Sequence, residues 1–265
     1  MSTPLPSPAA TATSARLRDR VALVTGAASG LGAATSRAIA AAGGSVVCAD
    51  LDGDGAAAVA GEIGDRALGL PVDVSDEASV QRAVDATVER FGTVDVLFAN
   101  AGMTYTKPTL EYSLEEFQRV VTVNLAGVWL CARAVLPHML EAGRGSIVAT
   151  ASTAALRGSG SSAYAASKGG VTAMIRQLAV EFGGTGVRFN AICPGPTRTA
   201  MYDGALRLRR PDDFEQALRE KGAELPAGRL GVPEDIAALV VFLASDESAF
   251  ITGTVTPIDG GATAK

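Results

Sequence analysis

The sequence has few of the residues from which metal centres and disulfide frameworks are built. Its 265 residues include one histidine, one tryptophan and three cysteines. The histidine, His138, has no close pair of cysteines to join it, so we expect no metal site. Cys48, Cys131 and Cys193 are odd in number and each lies in an apolar run, which predicts three reduced core thiols in a cytoplasmic protein.

Positive charge and long apolar runs are also scarce. Lysine and arginine number 23 against 28 aspartate and glutamate residues, a formal net charge of -5 at pH 7. The chain therefore lacks a positive field for a phosphate backbone, and we expect no nucleic-acid partner. Gly, Asp, Arg or Pro interrupts every apolar stretch before the roughly 18 residues that a membrane span needs. We therefore expect a soluble protein without a membrane partner.

What the chain does contain is an alternation of short apolar runs and stretches of helical period. Seven runs predict strands, at 21–25, 45–49, 67–72, 94–99, 146–151, 187–192 and 253–258. Among the helices between them, Ser75 is the predicted N-cap of one, Ser113 and Glu116 form the capping box of a long one, and Pro233 begins another.

This order of elements predicts the fold class. It is α/β: one doubly wound parallel sheet of about seven strands, with helices on both faces, as in a Rossmann fold. We expect one domain at 16–265, preceded by a disordered tail at 1–15 that is rich in Pro, Ala, Ser and Thr.

A glycine turn joins the first predicted strand to the first helix. Gly26, Gly30 and Gly32 leave backbone N–H groups and the positive end of the helix dipole available to a pyrophosphate. Asp50 ends the second strand, where a carboxylate can accept hydrogen bonds from both hydroxyls of an adenosine ribose. The alternatives are a turn that only packs the helix and an Asp50 that caps the next helix, for which Asp52 is equally well placed.

Tyr164 and Lys168 stand four residues apart on a predicted helix, and therefore on one face of it. A phenol with a pKa near 10 is a poor base at neutral pH, but a neighbouring ammonium favours the phenolate. The pair predicts an acid/base group, and the alternative is a surface tyrosine beside a surface lysine.

These motifs resemble the classical short-chain dehydrogenase/reductase family from about Arg20 to Gly261. The resemblance is carried by TGAASGLG (25–32), DV (73–74), NAG (100–102), VTVNLAG with Asn124, TAST with Ser152, YAASK with Tyr164 and Lys168, and PGPTRT (194–199). Ser152 lies 12 residues before Tyr164, one fewer than is common in the family, so Ser146 and Thr153 remain weaker alternatives for the serine.

The resemblance implies hydride transfer between a nicotinamide and a secondary alcohol or ketone. Tyr164 would exchange the proton with the substrate oxygen, Lys168 would lower the pKa of Tyr164, and Ser152 would donate a hydrogen bond to that oxygen. Asn124 would hold a water that links Lys168 to solvent. The implied cofactor-binding residues are Gly26, Ser29, Gly30, Leu31, Gly32, Asp50, Leu51, Asp73, Val74, Asn100, Ala101, Gly102, Tyr164, Lys168, Pro194, Gly195, Thr197 and Thr199.

We expect NAD rather than NADP as the cofactor. Asp50 would repel a 2′-phosphate, and neither Leu51 nor Ser29, at positions where NADP-preferring relatives tend to carry a base, offers it a cation. The apolar helix at 163–182, together with the resemblance, predicts a homotetramer.

Two other functions stay open. A 3-oxoacyl (acyl carrier protein or CoA) reductase would share every motif, but Arg144 is the only base in the stretches 140–146 and 181–186 where an acidic carrier would be held. A non-enzymatic NAD-binding protein is the more distant alternative, because it would be free to lose the acid/base groups.

Overall fold

The computed structural model describes residues 16–158 and 160–265, and its strands form one parallel sheet. The strands are β1 (Val21–Thr25), β2 (Ser45–Asp50), β3 (Ala67–Pro71), β4 (Val96–Ala99), β5 (Gly145–Thr150), β6 (Val187–Pro194) and β7 (Val255–Ile258). They lie in the order β3-β2-β1-β4-β5-β6-β7, and every neighbouring pair is parallel. The predicted fold class and all seven predicted strands are therefore confirmed, while the predicted tail at 1–15 lies outside the described residues.

Helices cover both faces of this sheet. They are α1 (Gly30–Ala41), α2 (Gly53–Ile63), α3 (Glu77–Phe91), α4 (Leu114–Val121), α5 (Gly127–Glu141), α6 (Ser162–Glu181), α7 (Ala200–Arg209), α8 (Phe214–Ala223) and α9 (Pro233–Ala244). Three short turns of 3₁₀ helix lie at Thr109–Glu111, Thr153–Ala155 and Asp246–Ser248, and a π-helical turn at Thr122–Ala126 joins α4 to α5.

The alternation of side chains along each strand explains why the strands read as continuous apolar runs. Leu23 of β1 packs in the cluster that holds α3, α5 and α6, whereas the next residue, Val24, packs in the cluster that holds α1, α2 and α9. Leu97 and Phe98 of β4 divide in the same way. Because both faces are covered, most positions along the central strands are apolar, and buried polar residues such as Ser146 and Asn190 are hydrogen-bonded.

The predicted long helix is present as α4, the π turn and α5. Its capping box is formed, since the Ser113 hydroxyl accepts the N–H of Glu116 and the Glu116 carboxylate accepts the N–H of Ser113. Among the described residues, this segment (Leu114–Glu141) is the one helix long and apolar enough to cross a membrane. Val128, Cys131 and other residues of α5 pack on the sheet, which is the setting of a core helix.

One predicted cap is wrong by one residue. The N-cap of α3 is Asp76, whose carboxylate accepts the N–H of Ala78. Ser75 instead donates both its N–H and its hydroxyl to the Asp73 carboxylate, at 2.8 and 2.6 Å. Because Ser75 is hydrogen-bonded to the carboxylate two residues before it, it does not cap the helix, and the helix begins one position later than predicted.

Candidate active site

A cavity opens at the carboxyl ends of the strands, where the strand order reverses between β1 and β4. Its volume is about 710 Å³. In open α/β sheets this switch point is where two loops diverge and leave a crevice. The residues that line the cavity are Gly26, Ser29, Gly30, Leu31, Asp50, Leu51, Val72, Asp73, Val74, Ser75, Asn100, Ala101, Gly102, Met103, Glu115, Gln118, Arg119, Thr122, Val123, Thr150, Tyr164, Lys168, Thr199, Ala200 and Met201.

The glycine turn between β1 and α1 forms one wall of the cavity. Gly26 has a φ of +68°, and a Cβ there would stand 2.9 Å from the Asn100 side chain. A Cβ on Gly32 would stand 2.0 Å from the Gly26 carbonyl oxygen. Gly32 therefore lets α1 pack closely against the turn, and its implied contact with a cofactor stays a prediction.

The amino terminus of α1 opens into the cavity without a carboxylate to neutralise it. Ser29 is the N-cap, its side chain makes no capping hydrogen bond, and the first turn of α1 holds no acidic residue. The positive end of the helix dipole is thus left to a ligand. The negative charge of a dinucleotide pyrophosphate would be stabilised by this helix end. The tight glycine turn would let the pyrophosphate approach the backbone closely.

Asp50 and Leu51 form the far end of the cavity. The Asp50 carboxylate accepts the N–H of Ala28 at 2.9 Å and that of Asp52 at 3.0 Å, one on each oxygen. Each oxygen keeps a further lone pair, so two hydroxyl donors can still be accepted. Leu51 is 70% exposed beside it, an apolar surface that a bound group would cover. Asp52, not Asp50, caps α2, which removes the alternative explanation for Asp50.

Asn100 ties the ends of three strands together beneath the cavity. Its side-chain amide donates to the carbonyls of Thr25 and Gly26, and its carbonyl accepts the hydroxyl of Thr150. Asp73 lies at the rim, where hydrogen bonds from Ser75 hold the pKa of the Asp73 carboxyl below its usual value.

Tyr164 and Lys168 line the cavity, and Ser152, which does not line it, contacts Tyr164. The Ser152 side chain is hydrogen-bonded to the Tyr164 hydroxyl, and the Lys168 nitrogen lies 5.8 Å from the centre of the Tyr164 ring. Lys168 is buried and donates to the Thr150 carbonyl at 2.6 Å. Burial lowers the pKa of Lys168 to about 8.

The predicted lowering of the Tyr164 pKa by Lys168 is wrong for this arrangement of the site. Burial raises the pKa of the phenol, and the hydrogen bond from Ser152 offsets only part of that rise. Lys168 turns its ammonium to the Thr150 carbonyl rather than to the phenol oxygen, which limits its effect. The buried thiol of Cys193 adds a further small rise.

Asn124 lies in the π turn and is fully buried. Its side chain accepts the N–H of Met103 at 2.8 Å and donates to the carbonyl of Met103 at 2.9 Å. Its second N–H proton goes to the Ser167 hydroxyl at 3.2 Å. Both protons of the amide are therefore used, and a water held by Asn124 would have to bind its backbone carbonyl.

Several other predicted residues lie outside the cavity lining. Ser146 donates to the Leu243 carbonyl at the opposite end of the sheet, which removes it as an alternative to Ser152. Pro194, Gly195 and Thr197 do not line the cavity, whereas Thr199 does. Gly195 packs against Asp259, because a Cβ there would stand 2.5 Å from that side chain.

Sequence reasoning missed the wall supplied by α4 and the π turn. Glu115, Gln118, Arg119, Thr122 and Val123 all line the cavity. They recur at intervals of three and four residues, a helical spacing that could have identified a polar face turned to the site. No local motif indicates which ligand these residues would contact.

The chain is similar to known oxidoreductases along nearly its whole length. The family profile described as enoyl-(acyl carrier protein) reductase matches residues 26–263. Levodione reductase from Leifsonia aquatica is 42% identical over 256 residues, covering 94% of this chain and 96% of that protein. D-threitol dehydrogenase from Mycolicibacterium smegmatis is 43% identical over 254 residues, covering 94% and 95%.

Solved structures give the same result. A crystal structure of levodione reductase matches with a TM-score of 0.90 and 41% identity, covering 94% of this chain and 99% of that chain. A crystal structure of 3-ketoacyl-(acyl-carrier-protein) reductase from Brucella melitensis, complexed with NADH, matches with a TM-score of 0.85 and 36% identity, covering 93% and 99%.

Proposed function

The chain belongs to the classical short-chain dehydrogenase/reductase family, and on that premise we propose that Tyr164 is the acid/base of a hydride transfer between NAD and a secondary alcohol. The protein is an oxidoreductase that interconverts secondary alcohols and ketones, the class of its levodione reductase and D-threitol dehydrogenase relatives. The single observation that supports the residue assignment is that Tyr164 and Lys168 both line the cavity, with Ser152 hydrogen-bonded to Tyr164.

Each of these residues has a task in the proposed reaction. A nicotinamide coenzyme bound along the glycine turn would accept the hydride from the alcohol carbon. The Tyr164 oxygen, in its deprotonated form, takes the hydroxyl proton of the alcohol, which leaves the ketone and a neutral phenol. Ser152, already hydrogen-bonded to Tyr164, stabilises negative charge on the same oxygens. Lys168 places a positive charge in the site, and the backbone carbonyl of Asn124 is the remaining group for the water that carries the proton away.

NAD is the coenzyme that fits the far end of the cavity. The Asp50 carboxylate is held by two backbone N–H groups and has lone pairs left for the two ribose hydroxyls. A 2′-phosphate at this place would meet that carboxylate as a like charge. The neighbouring lining residues, Ser29 and Leu51, carry no compensating charge. We therefore propose a preference for NAD of at least about 10² in kcat/KM.

The test measures kcat/KM for NAD and NADP by absorbance at 340 nm. A panel of secondary alcohols that includes cyclohexanol, 2,3-butanediol and D-threitol supplies the substrate. Asp50→Ala combined with Leu51→Arg should move the ratio towards NADP by at least about tenfold, because a repulsive charge is replaced by an attractive one. Asp52→Ala is the control, since Asp52 lies in the same turn but does not line the cavity. Equal use of both coenzymes by the wild type would exclude the proposed role of Asp50.

An acyl reductase is the second candidate, because the Brucella melitensis relative carries that name. Arg144 is the base that such an enzyme would use in the predicted docking stretches. In this chain its Nε donates to the buried Asp95 at 2.9 Å, at the end of the sheet away from the cavity. A carrier would therefore find this arginine already paired, and we rank the small secondary alcohol first. Activity on an acyl carrier protein thioester above that on every alcohol of the panel would reverse the order.

We propose a homotetramer that uses part of the apolar helix at 163–182. Val171 and Ile175 of α6 are buried in the core of this chain, whereas Val180 is 78% exposed. The better support is a groove of about 350 Å³ between α5 and α6, lined by Trp129 and Phe182 among others. Light scattering at micromolar concentration tests the assembly, and a monomer would exclude it.

The three free, buried cysteines support a reducing, cytoplasmic compartment, which fractionation of the source cells would check.

A further inference from the structure

The segment that follows β4 is fastened to the helix that carries Tyr164, and Tyr112 makes the connection. The Tyr112 hydroxyl oxygen lies 2.7 Å from the Tyr105 carbonyl oxygen and 2.8 Å from the Ser161 hydroxyl oxygen. A carbonyl can only accept, and a phenol has one proton, so Tyr112 donates to Tyr105 and accepts from Ser161.

Ser161 is itself the N-cap of α6. Its oxygen accepts the backbone N–H of Tyr164 at 3.4 Å, a long hydrogen bond. The result is a continuous chain of hydrogen bonds that runs from the Tyr164 N–H through two hydroxyls to the Tyr105 carbonyl. A second bond, from the Thr109 hydroxyl to that of Ser162 at 3.1 Å, joins the same two segments.

The ring of Tyr112 is held as firmly as its hydroxyl. It meets the ring of Tyr105 edge to face, with centroids 6.2 Å apart. The Lys107 ammonium lies 5.3 Å from the centre of the Tyr112 ring and is fixed by both oxygens of Glu116, at 2.5 and 2.6 Å. A hydroxyl on a ring held this way keeps one position, which is what a positioning group requires.

Glycines give freedom to the described backbone that enters α6, although the Arg157 guanidinium donates to the Ala262 carbonyl at 2.6 Å. Glycines occupy positions 158 and 160, and a Cβ on Gly158 would meet nothing within 4 Å. Glycine restricts the backbone least of all residues, so the start of α6 depends on its side-chain contacts. At the other end of the tied segment, Met103 lines the cavity and is clamped by Asn124.

We propose that Tyr112 is a positioning residue that sets the first turn of α6, and with it the Tyr164 hydroxyl, relative to the cavity wall at Met103. This inference rests on the proposed acid/base role of Tyr164. Proton transfer requires heavy atoms about 2.6 to 3.2 Å apart, and a displacement of about 1 Å can cost up to 10²-fold in rate. Tyr112 does not touch the substrate in this scheme and acts through Tyr164.

The test compares kcat, KM, the Kd of NADH and the melting temperature in Tyr112→Phe, Ser161→Ala and the double variant. Tyr112→Phe should lower kcat about tenfold while the Kd of NADH changes less than twofold. The double variant should be no slower than the slower single variant, because one missing hydroxyl already breaks the chain. If Tyr112→Phe fails to fold, Ser161→Ala carries the same expectation.

Thr185→Val is the matched control. It also removes one hydroxyl, which donates to the Phe182 carbonyl at the far end of α6. It should leave kcat unchanged even if it lowers the melting temperature. Wild-type kcat in Tyr112→Phe, an equal loss in Thr185→Val, or additive losses in the double variant would each overturn the inference. Retained activity in Tyr164→Phe would instead overturn the proposed function.

Discussion

At the amino end of the sheet Asp95 is buried among partners that match its charge, whereas at the carboxyl end Lys168 is buried with no carboxylate beside it in the part of the chain that the structure describes. The Asp95 carboxylate accepts the N–H of Val21 at 3.0 Å and the Nε of Arg144 at 2.9 Å, with Arg20 at 3.8 Å. The Lys168 ammonium instead donates to a neutral group, the carbonyl of Thr150.

The difference separates the tasks of the two ends. At the amino end, polar groups satisfy one another and join β1, β4 and the turn before β5. At the carboxyl end, Lys168, Tyr164 and Asp50 keep bonding capacity for a ligand, and the protein carries the cost of a buried ammonium. A substitution at the first end should act on stability, and one at the second should act on turnover.

The largest effect is expected from Tyr164→Phe. Removal of the acid/base should lower kcat by about 10² to 10⁴-fold, while the free energy of unfolding changes by about 1 kcal/mol or less, because one hydroxyl is lost from a site designed for a ligand. Steady-state kinetics and urea unfolding, with NADH binding as the control for an intact cavity, measure both quantities. A kcat above about a tenth of the wild-type value would contradict the assigned role.

Asp95→Ala should give the reverse pattern. It leaves the Val21 N–H and the Arg144 guanidinium without their acceptor, so we expect a loss of about 3 kcal/mol in the free energy of unfolding. The kcat of the folded protein should stay within about twofold, because the substitution lies at the opposite end of the sheet. Arg144→Gln, which removes a half-exposed partner, should cost only about 1 kcal/mol. A large fall in kcat of Asp95→Ala with unchanged stability would contradict the assignment of stability to the amino end and turnover to the carboxyl end of the sheet.

Lys168→Met should have a small effect on stability, and that effect should be favourable. The folded-state pKa of Lys168, about 8, lies below the ordinary value of 10.5, so the protonated lysine destabilises the fold fully below pH 8. This penalty fades as the pH rises from 8 to 10.5. The variant should therefore be more stable than the wild type by about 1 kcal/mol at pH 7, with a smaller difference near pH 10. Urea unfolding at both pH values is the measurement, and a gain that does not depend on pH would contradict the explanation.

The strands and the cofactor turn were predictable because their signals are local. A strand covered on both faces is apolar throughout, and a strand, glycine turn and helix follow one another in sequence. The predicted β4 began two residues early, at Val94, because Val94 and Asp95 are as buried as a strand. The Asp95 carboxylate takes the N–H of Val21, and the ladder with β1 starts only at Val96.

The connections within the site could not be predicted from local sequence. Tyr112 and Ser161 are 49 residues apart, and Met103 and Asn124 are 21 apart. Each pair is joined by the packing of separate elements, not by a motif. The direction of the Tyr164 pKa was missed for a similar reason, since the depth of burial depends on the whole cavity rather than on the spacing to Lys168.

The π turn gives the helix from Leu114 to Glu141 two rotational phases. Gly127 donates to the Thr122 carbonyl five residues back, so this turn holds one residue more than an α turn. Before it, Glu115, Gln118 and Arg119 face the cavity; after it, Val128, Cys131 and Val135 face the core. Deleting any one residue of the turn would rotate one segment by about 100° against the other. Either the cavity wall or the core face would then be misplaced, which makes the length of this helix more constrained than its composition.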